Sequence, residues 1–116
     1  MIAAGVGEDD EVITSPYTMA ASATTAVMCG AKPIFVDIEP DYFCLDVEMV
    51  KKAISPKTKA IMAVNIFGQA ANLKKLRKIA DEKNIILIED NAQAPGAKFH
   101  NSYTGTIGHM GIFSLN

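Results

Sequence analysis

Cysteine is scarce in this 116-residue chain: only Cys29 and Cys44 occur, each among apolar neighbours. Two such residues build no disulfide framework, so reduced core thiols are expected. Histidine is equally sparse, and neither His100 nor His109 has a cysteine or carboxylate at ligand spacing, so no metal site is expected. No apolar run is long enough to span a bilayer. Met19–Ala31 comes nearest but is short and broken by Ser22, Thr24 and Thr25. Met1–Gly7 lacks the basic flank of a signal peptide. Positive charge is not in excess: 11 Lys and Arg against 13 Asp and Glu give a net charge of −2. The basic residues are scattered, so no row of phosphates would be neutralised. These absences point to a cytoplasmic chain with neither a nucleic-acid nor a membrane partner.

What is present is an ordinary globular composition. Hydrophobic residues make up 49% and charged residues 21%, with a mean hydropathy of +0.16, which excludes intrinsic disorder. The length is one domain's worth. Apolar runs and turn residues alternate along it. Strands are predicted near 12–14, 34–37, 60–65, 85–89 and 112–115, and helices near 18–29, 46–54 and 73–83. The first helix is apolar on most faces, which predicts burial on several sides. The run Ile34–Ile38 is too apolar for a wet face. Asp46 and Asn72 are placed to cap the second and third helices, and Asn84 suits the left-handed residue after the third. Lys74, Lys75, Arg77 and Lys78 read as a solvated helix face rather than a binding patch. A turn falls around Asn101–Ser102.

Strands without polar alternation, separated by helices, predict an α/β fold: a mostly parallel sheet with helices on both faces and right-handed crossovers. Each apolar run ends in hydrogen-bonding residues: Thr14–Ser15, Asp37, Asn65, Glu89–Asp90, and Ser114 or Asn116. Ligands of open α/β sheets bind beyond the carboxyl ends of the strands. For any single residue, a strand end meeting water is explanation enough. As a set, with Asp90 following four consecutive apolar residues and Glu89, they favour a site.

Three segments together resemble the pyridoxal-phosphate-dependent nucleotide-sugar aminotransferases of the DegT/DnrJ/StrS type. The first is Gly7–Asp37, with a Gly-x-x-Asp-Glu-Val-Ile turn and strand, a Ser-Pro-Tyr-Thr loop and Gly-Ala-Lys-Pro-Ile-Phe-Val-Asp. The second is Lys57–Gln69, ending in Phe-Gly-Gln. The third runs from Glu89-Asp90-Asn91-Ala92-Gln93 to Gly111-Ile112-Phe113-Ser114. The resemblance covers essentially the whole chain. It implies the central part of a type I, aspartate aminotransferase-like large domain, with pyridoxal 5'-phosphate as cofactor. The reaction implied is transfer of an amino group, from glutamate, to a nucleotide-linked keto sugar in a homodimer.

An aminotransferase stabilises a carbanion by draining charge into the cofactor ring. A carboxylate at the ring nitrogen keeps that nitrogen protonated, and Asp90 matches this position. By the same resemblance Gln93 binds the phenolic oxygen and Ser114 the phosphate. From the residues alone, Gln93 reads equally as a loop-tying amide, and Glu89 as an inward structural group. Met19 stands where relatives carry an aromatic residue over the ring; a thioether covers a ring face more loosely. Asn65 replaces a common histidine. No catalytic residue is expected within the chain. The Schiff-base lysine is expected beyond Asn116, the phosphate cradle before Met1, and the small C-terminal domain elsewhere, so the 116 residues alone should be inactive. The alternatives are a sugar dehydratase of the same fold, with histidine for the lysine, and a non-catalytic α/β domain. A receiver-like or Rossmann-like metal module is the third, and the lack of a Gly-rich loop after the first strand counts against the dinucleotide version.

Overall fold

The apolar runs lack polar alternation because both faces of their strands are covered. In the computed structural model, which describes residues 1–115, the strands are β1 (Glu11–Thr14), β2 (Lys32–Phe35), β3 (Thr58–Val64) and β4 (Ile86–Asp90). The short hairpin β5 (Lys98–Phe99) and β6 (Ser102–Tyr103) follows, then β7 (Met110–Ile112). Five strands form one sheet in the order β2-β1-β3-β4-β7, and every neighbouring pair is parallel. Successive residues of β3 divide between two cores. Ala60 and Met62 pack with Val12, Ile88 and Ala26 of helix α1 (Ala20–Met28). Ile61 and Ala63 pack with Ile13, Leu87, Val50 of α2 (Val47–Ala53) and Leu76 of α3 (Leu73–Lys83). Period-two alternation thus feeds both faces.

The helices lie on opposite faces for a topological reason. The chain leaves β1 toward β2 in one direction, then returns past β1 to β3 and continues through β4 to β7. Right-handed crossovers made in opposite directions place their helices on opposite sides. The predicted caps form: Asp46 accepts hydrogen bonds from the Glu48 and Met49 backbone N–H groups, and Asn72 accepts one from Lys75. Asn84 ends α3 at φ 55°.

Four expectations are corrected. Helix α1 buries only Ser22 and Ala26, and Val27 and Met28 are 58% and 84% exposed. Its apolar composition carries no direction, and only the i, i+4 face meets the sheet. The strand in Ile34–Ile38 begins at Lys32 and ends at Phe35, and it has exposed residues because it is the edge strand. The last strand occupies Met110–Ile112 rather than 112–115, because its partner β4 ends at Asp90, opposite Ile112. Gly111 hides this strand from a hydrophobicity reading. Yet it has to be glycine, since a Cβ there would lie 2.0 Å from the Gly105 carbonyl oxygen. Arg77, assigned to a solvated face, instead donates to the carbonyls of Ile107 and Gly108 at 2.9 and 3.2 Å. Asn116 lies outside the described residues.

Candidate ligand site at the carboxyl edge of the sheet

The strand order reverses between β1 and β3, and such a switch point leaves a crevice where the two connections part. A cleft of about 270 Å³ lies there. Pro16, Tyr17 and Thr18 line it from the segment after β1, Ile66 and Phe67 from that after β3, and Gln93 from that after β4. Ser15 turns the chain off β1 by accepting the Tyr17 N–H at 2.9 Å. Phe67 holds the left-handed conformation (φ 53°, ψ 29°), uncommon for a bulky residue. Its N–H donates to Gln93 Oε1 at 3.4 Å, and its ring meets Tyr17 edge-on at 6.1 Å. With the Gln93 oxygen so engaged, the NH₂ donor is the end left to a ligand.

Asp90 closes β4 beside this cleft. Its Oδ2 accepts from Ser22 Oγ at 2.8 Å, and its Oδ1 from the Ala92 N–H at 3.2 Å. Ser22 in turn lies 3.0 Å from Thr18 Oγ1, which joins the carboxylate to the cleft wall. Met19 sits on the turn into α1 with its side chain 70% exposed, and its carbonyl accepts the Ser22 N–H at 3.1 Å. Ser114 is exposed and lies two residues past Ile112, the residue that pairs with Asp90. Asp90, Gln93, Met19 and Ser114 therefore all follow the carboxyl end of the sheet. Asp90 and Met19 are linked through Ser22, whereas Ser114 follows the strand that pairs with β4.

Glu89, one residue earlier, points the other way. It is fully buried, and its carboxylate accepts from Asn65 Nδ2 and from the Gly105, Ile107 and Gly108 N–H groups at 3.2, 2.6, 2.7 and 2.5 Å. Asn65 also donates to Asn91 and accepts the Ala71 N–H. Asn91 donates to the Ala94 and Thr104 carbonyls. This network ties the loops together and presents nothing to a ligand. Farther out, His109 joins α3 to the start of β7: Nδ1 accepts the Leu87 N–H at 2.9 Å and Nε2 lies 3.1 Å from Asp81. The Arg77 guanidinium hydrogen-bonded to Asp81 holds that carboxyl below its usual range, and His109 adds to the effect.

A larger cleft, about 490 Å³, is lined by residues that include Cys44, Asp46, Asn72, Lys75 and Lys98. Burial pushes the Cys44 thiol up, so it is a poor nucleophile. Both cysteines are free, and no His, Cys, Asp and Glu cluster able to hold a metal occurs among the described residues.

Sequence reasoning missed Ser22, Thr18, Tyr17 and Phe67. The available signal was a hydroxyl, Ser22, four residues before Ala26 in a helix with few other residues able to face the sheet.

The donor set at this edge suits pyridoxal phosphate. A carboxylate already oriented by a hydroxyl and an N–H fits a protonated ring nitrogen. An amide with its NH₂ free fits a phenolic oxygen. A parallel α/β sheet with such groups beyond its strand ends is the large-domain architecture of type I fold pyridoxal-phosphate enzymes, and solved structures of such enzymes superimpose on it. The chain belongs to the DegT/DnrJ/EryC1/StrS aminotransferase family, whose profile matches residues 1–116.

Among relatives, it is 49% identical over 113 residues to an L-glutamine:2-deoxy-scyllo-inosose aminotransferase from Streptomyces kanamyceticus. That match covers 97% of this chain and 26% of the relative. It is 45% identical to a GDP-perosamine synthase from Vibrio cholerae, over 99% of this chain and 31% of that one. Of solved structures, an aminotransferase from Psychrobacter cryohalolentis matches with a TM-score of 0.91 at 35% identity, over 93% of this chain and 27% of that one. NtdA from Bacillus subtilis, solved with bound cofactor PMP, matches with a TM-score of 0.82 at 33% identity, over 90% and 24%. The chain thus spans about a quarter to a third of the length of the relatives it matches.

Proposed function

We propose that this chain is the central part of the large domain of an enzyme that transfers an amino group, from glutamate, to a nucleotide-linked keto sugar. The whole enzyme is a cytoplasmic homodimer in this reading. The observation that carries it is the carboxylate of Asp90, held by Ser22 and the Ala92 N–H at the sheet edge beside the switch-point cleft. The names of the relatives support the substrate class: one is a GDP-perosamine synthase, another a UDP-2-acetamido-2-deoxy-3-oxo-D-glucuronate aminotransferase. No helix among the described residues is long and apolar enough to cross a membrane.

Pyridoxal phosphate, when bound, supplies an electron sink for the carbanion next to the migrating nitrogen. Within this chain, Asp90 ion-pairs with the ring nitrogen and keeps its proton in place. Gln93 donates its NH₂ to the phenolic oxygen. Ser114 donates to the phosphate. Met19 covers one ring face with its thioether. The amine that moves protons at the substrate carbon comes from a lysine outside these residues, as do the phosphate cradle and the small domain.

The test is a half-reaction with glutamate in the full-length protein, with glutamine as a second donor because one relative is named for it. Asp90→Asn should retain some cofactor but lose most turnover, on the order of a hundredfold or more. Wild-type activity in Asp90→Asn would overturn the assignment.

A further inference from the structure

We infer that Ser22 and Thr18 form a directed hydrogen-bond relay that positions Asp90, and that Ser22 is a positioning residue for the cofactor's ring nitrogen. The inference rests on the reading of Asp90 given above. A serine hydroxyl has one proton to donate. Ser22 Oγ spends it on Asp90 Oδ2 at 2.8 Å, since an ionised carboxylate accepts only. The 3.0 Å contact with Thr18 must then run the other way, with Thr18 Oγ1 donating to Ser22 Oγ. The chain Thr18 to Ser22 to Asp90 has a fixed sense, and each link polarises the next.

Its placement is unusual. Of the nine residues of α1, only Ser22 and Ala26 are buried, so half the buried face of the helix is a hydroxyl aimed at a residue 68 positions away. Packing alone would favour an apolar side chain there. A hydroxyl fixes the rotation of the Asp90 carboxylate, with the Ala92 N–H on the other oxygen. Both oxygens then hold one donor each and keep lone pairs for a third, incoming N–H. Thr18 also lines the switch-point cleft, so the relay begins where a ligand would lie.

The experiment uses the full-length protein and pyridoxamine 5'-phosphate labelled with ¹⁵N in the ring. This probe forms no covalent bond to a lysine, so it reads non-covalent contacts. Ser22→Ala should weaken its binding about tenfold, as loss of one hydrogen bond to a charged group predicts. The ring ¹⁵N signal should move away from the protonated position. Ser22→Thr, which keeps the hydroxyl, should restore both. Thr18→Val should act in the same direction, by about threefold. It carries the test if Ser22→Ala does not fold. A serine that merely anchors α1 would lower stability without moving the ¹⁵N signal. Unchanged binding and ¹⁵N signal in Ser22→Ala or Thr18→Val would overturn the relay, provided Asp90→Asn loses the protonated signal. If Asp90→Asn keeps that signal, the assignment of Asp90 itself has failed, a separate outcome.

Discussion

Glu89 and Asp90 are adjacent carboxylates that face opposite ways, and the difference arises from strand alternation alone. Glu89 faces inward and gathers three backbone N–H groups and the Asn65 amide. Glu89→Gln puts a donor where one acceptor oxygen was, leaving buried N–H groups unpaired. It should cost about 2–4 kcal/mol, read as a fall in the urea midpoint of the full-length protein. A loss below a few tenths of a kcal/mol would mean the loops relax without penalty. Asp81 gives a pH-dependent counterpart. Its folded pKa is depressed, chiefly by Arg77, so its stabilisation is present above the ordinary carboxylate range near pH 4 and lost as pH falls through the lower folded value. The difference in thermal midpoint between wild type and Asp81→Asn should be constant at neutral pH and vanish on strong acidification. The place of Asp90 at the end of β4 was legible because it closes an apolar run. Ser22 was not, because sequence does not say which face of a helix of small residues, with hydroxyls at Ser22, Thr24 and Thr25, meets the sheet. Glu89 was ambiguous for the same reason that makes it informative: its neighbour shares its chemistry but not its direction.

At the scale of elements, the buried face and both ends of α3 were legible, though not the inward reach of Arg77. Leu73, Leu76, Ile79 and Ala80 keep the 3.6 period, all four are buried, and the flanking Asn72 and Asn84 mark both ends. Truncating Leu76 to Ala should cost about 2–5 kcal/mol. The strand β7 was displaced by two residues at its start and three at its end in the sequence reading, because register rather than hydrophobicity sets its ends. Its neighbour Gly105 has φ +84°, and a Cβ there would meet the Phe113 ring at 2.3 Å. Gly111 is tighter still, against the backbone of Gly105 itself. Gly111→Ala should therefore separate the 105 loop from β7 and destabilise by about 3 kcal/mol or more, a larger penalty than a flexible side-chain clash would give. Hydrogen exchange at the Asn91 amide, which donates to Ile112, should rise with it. Protection equal to wild type would show that β7 has room the geometry denies.

At the scale of the whole molecule, parallel pairing and helices on both faces were readable from apolar runs without alternation. The switch point was not, because strand order depends on which neighbour each strand chooses. That reversal builds the cleft from three separate connections, so no local motif announces it. The chain also exposes Val27, Met28, Phe35 and Ile112 on elements that are otherwise packed. The 116 residues on their own should self-associate, seen as concentration-dependent light scattering; a monodisperse monomer at all concentrations would contradict this. In the proposed function, the carboxyl edge of this sheet holds pyridoxal phosphate through Asp90. The most direct measurement is a crystal structure of the full-length enzyme with pyridoxamine 5'-phosphate. The ring nitrogen should lie about 2.7–2.9 Å from an Asp90 oxygen, with the Gln93 amide at the phenolic oxygen. A cofactor bound elsewhere, or a ring nitrogen facing any group but this carboxylate, would contradict that function.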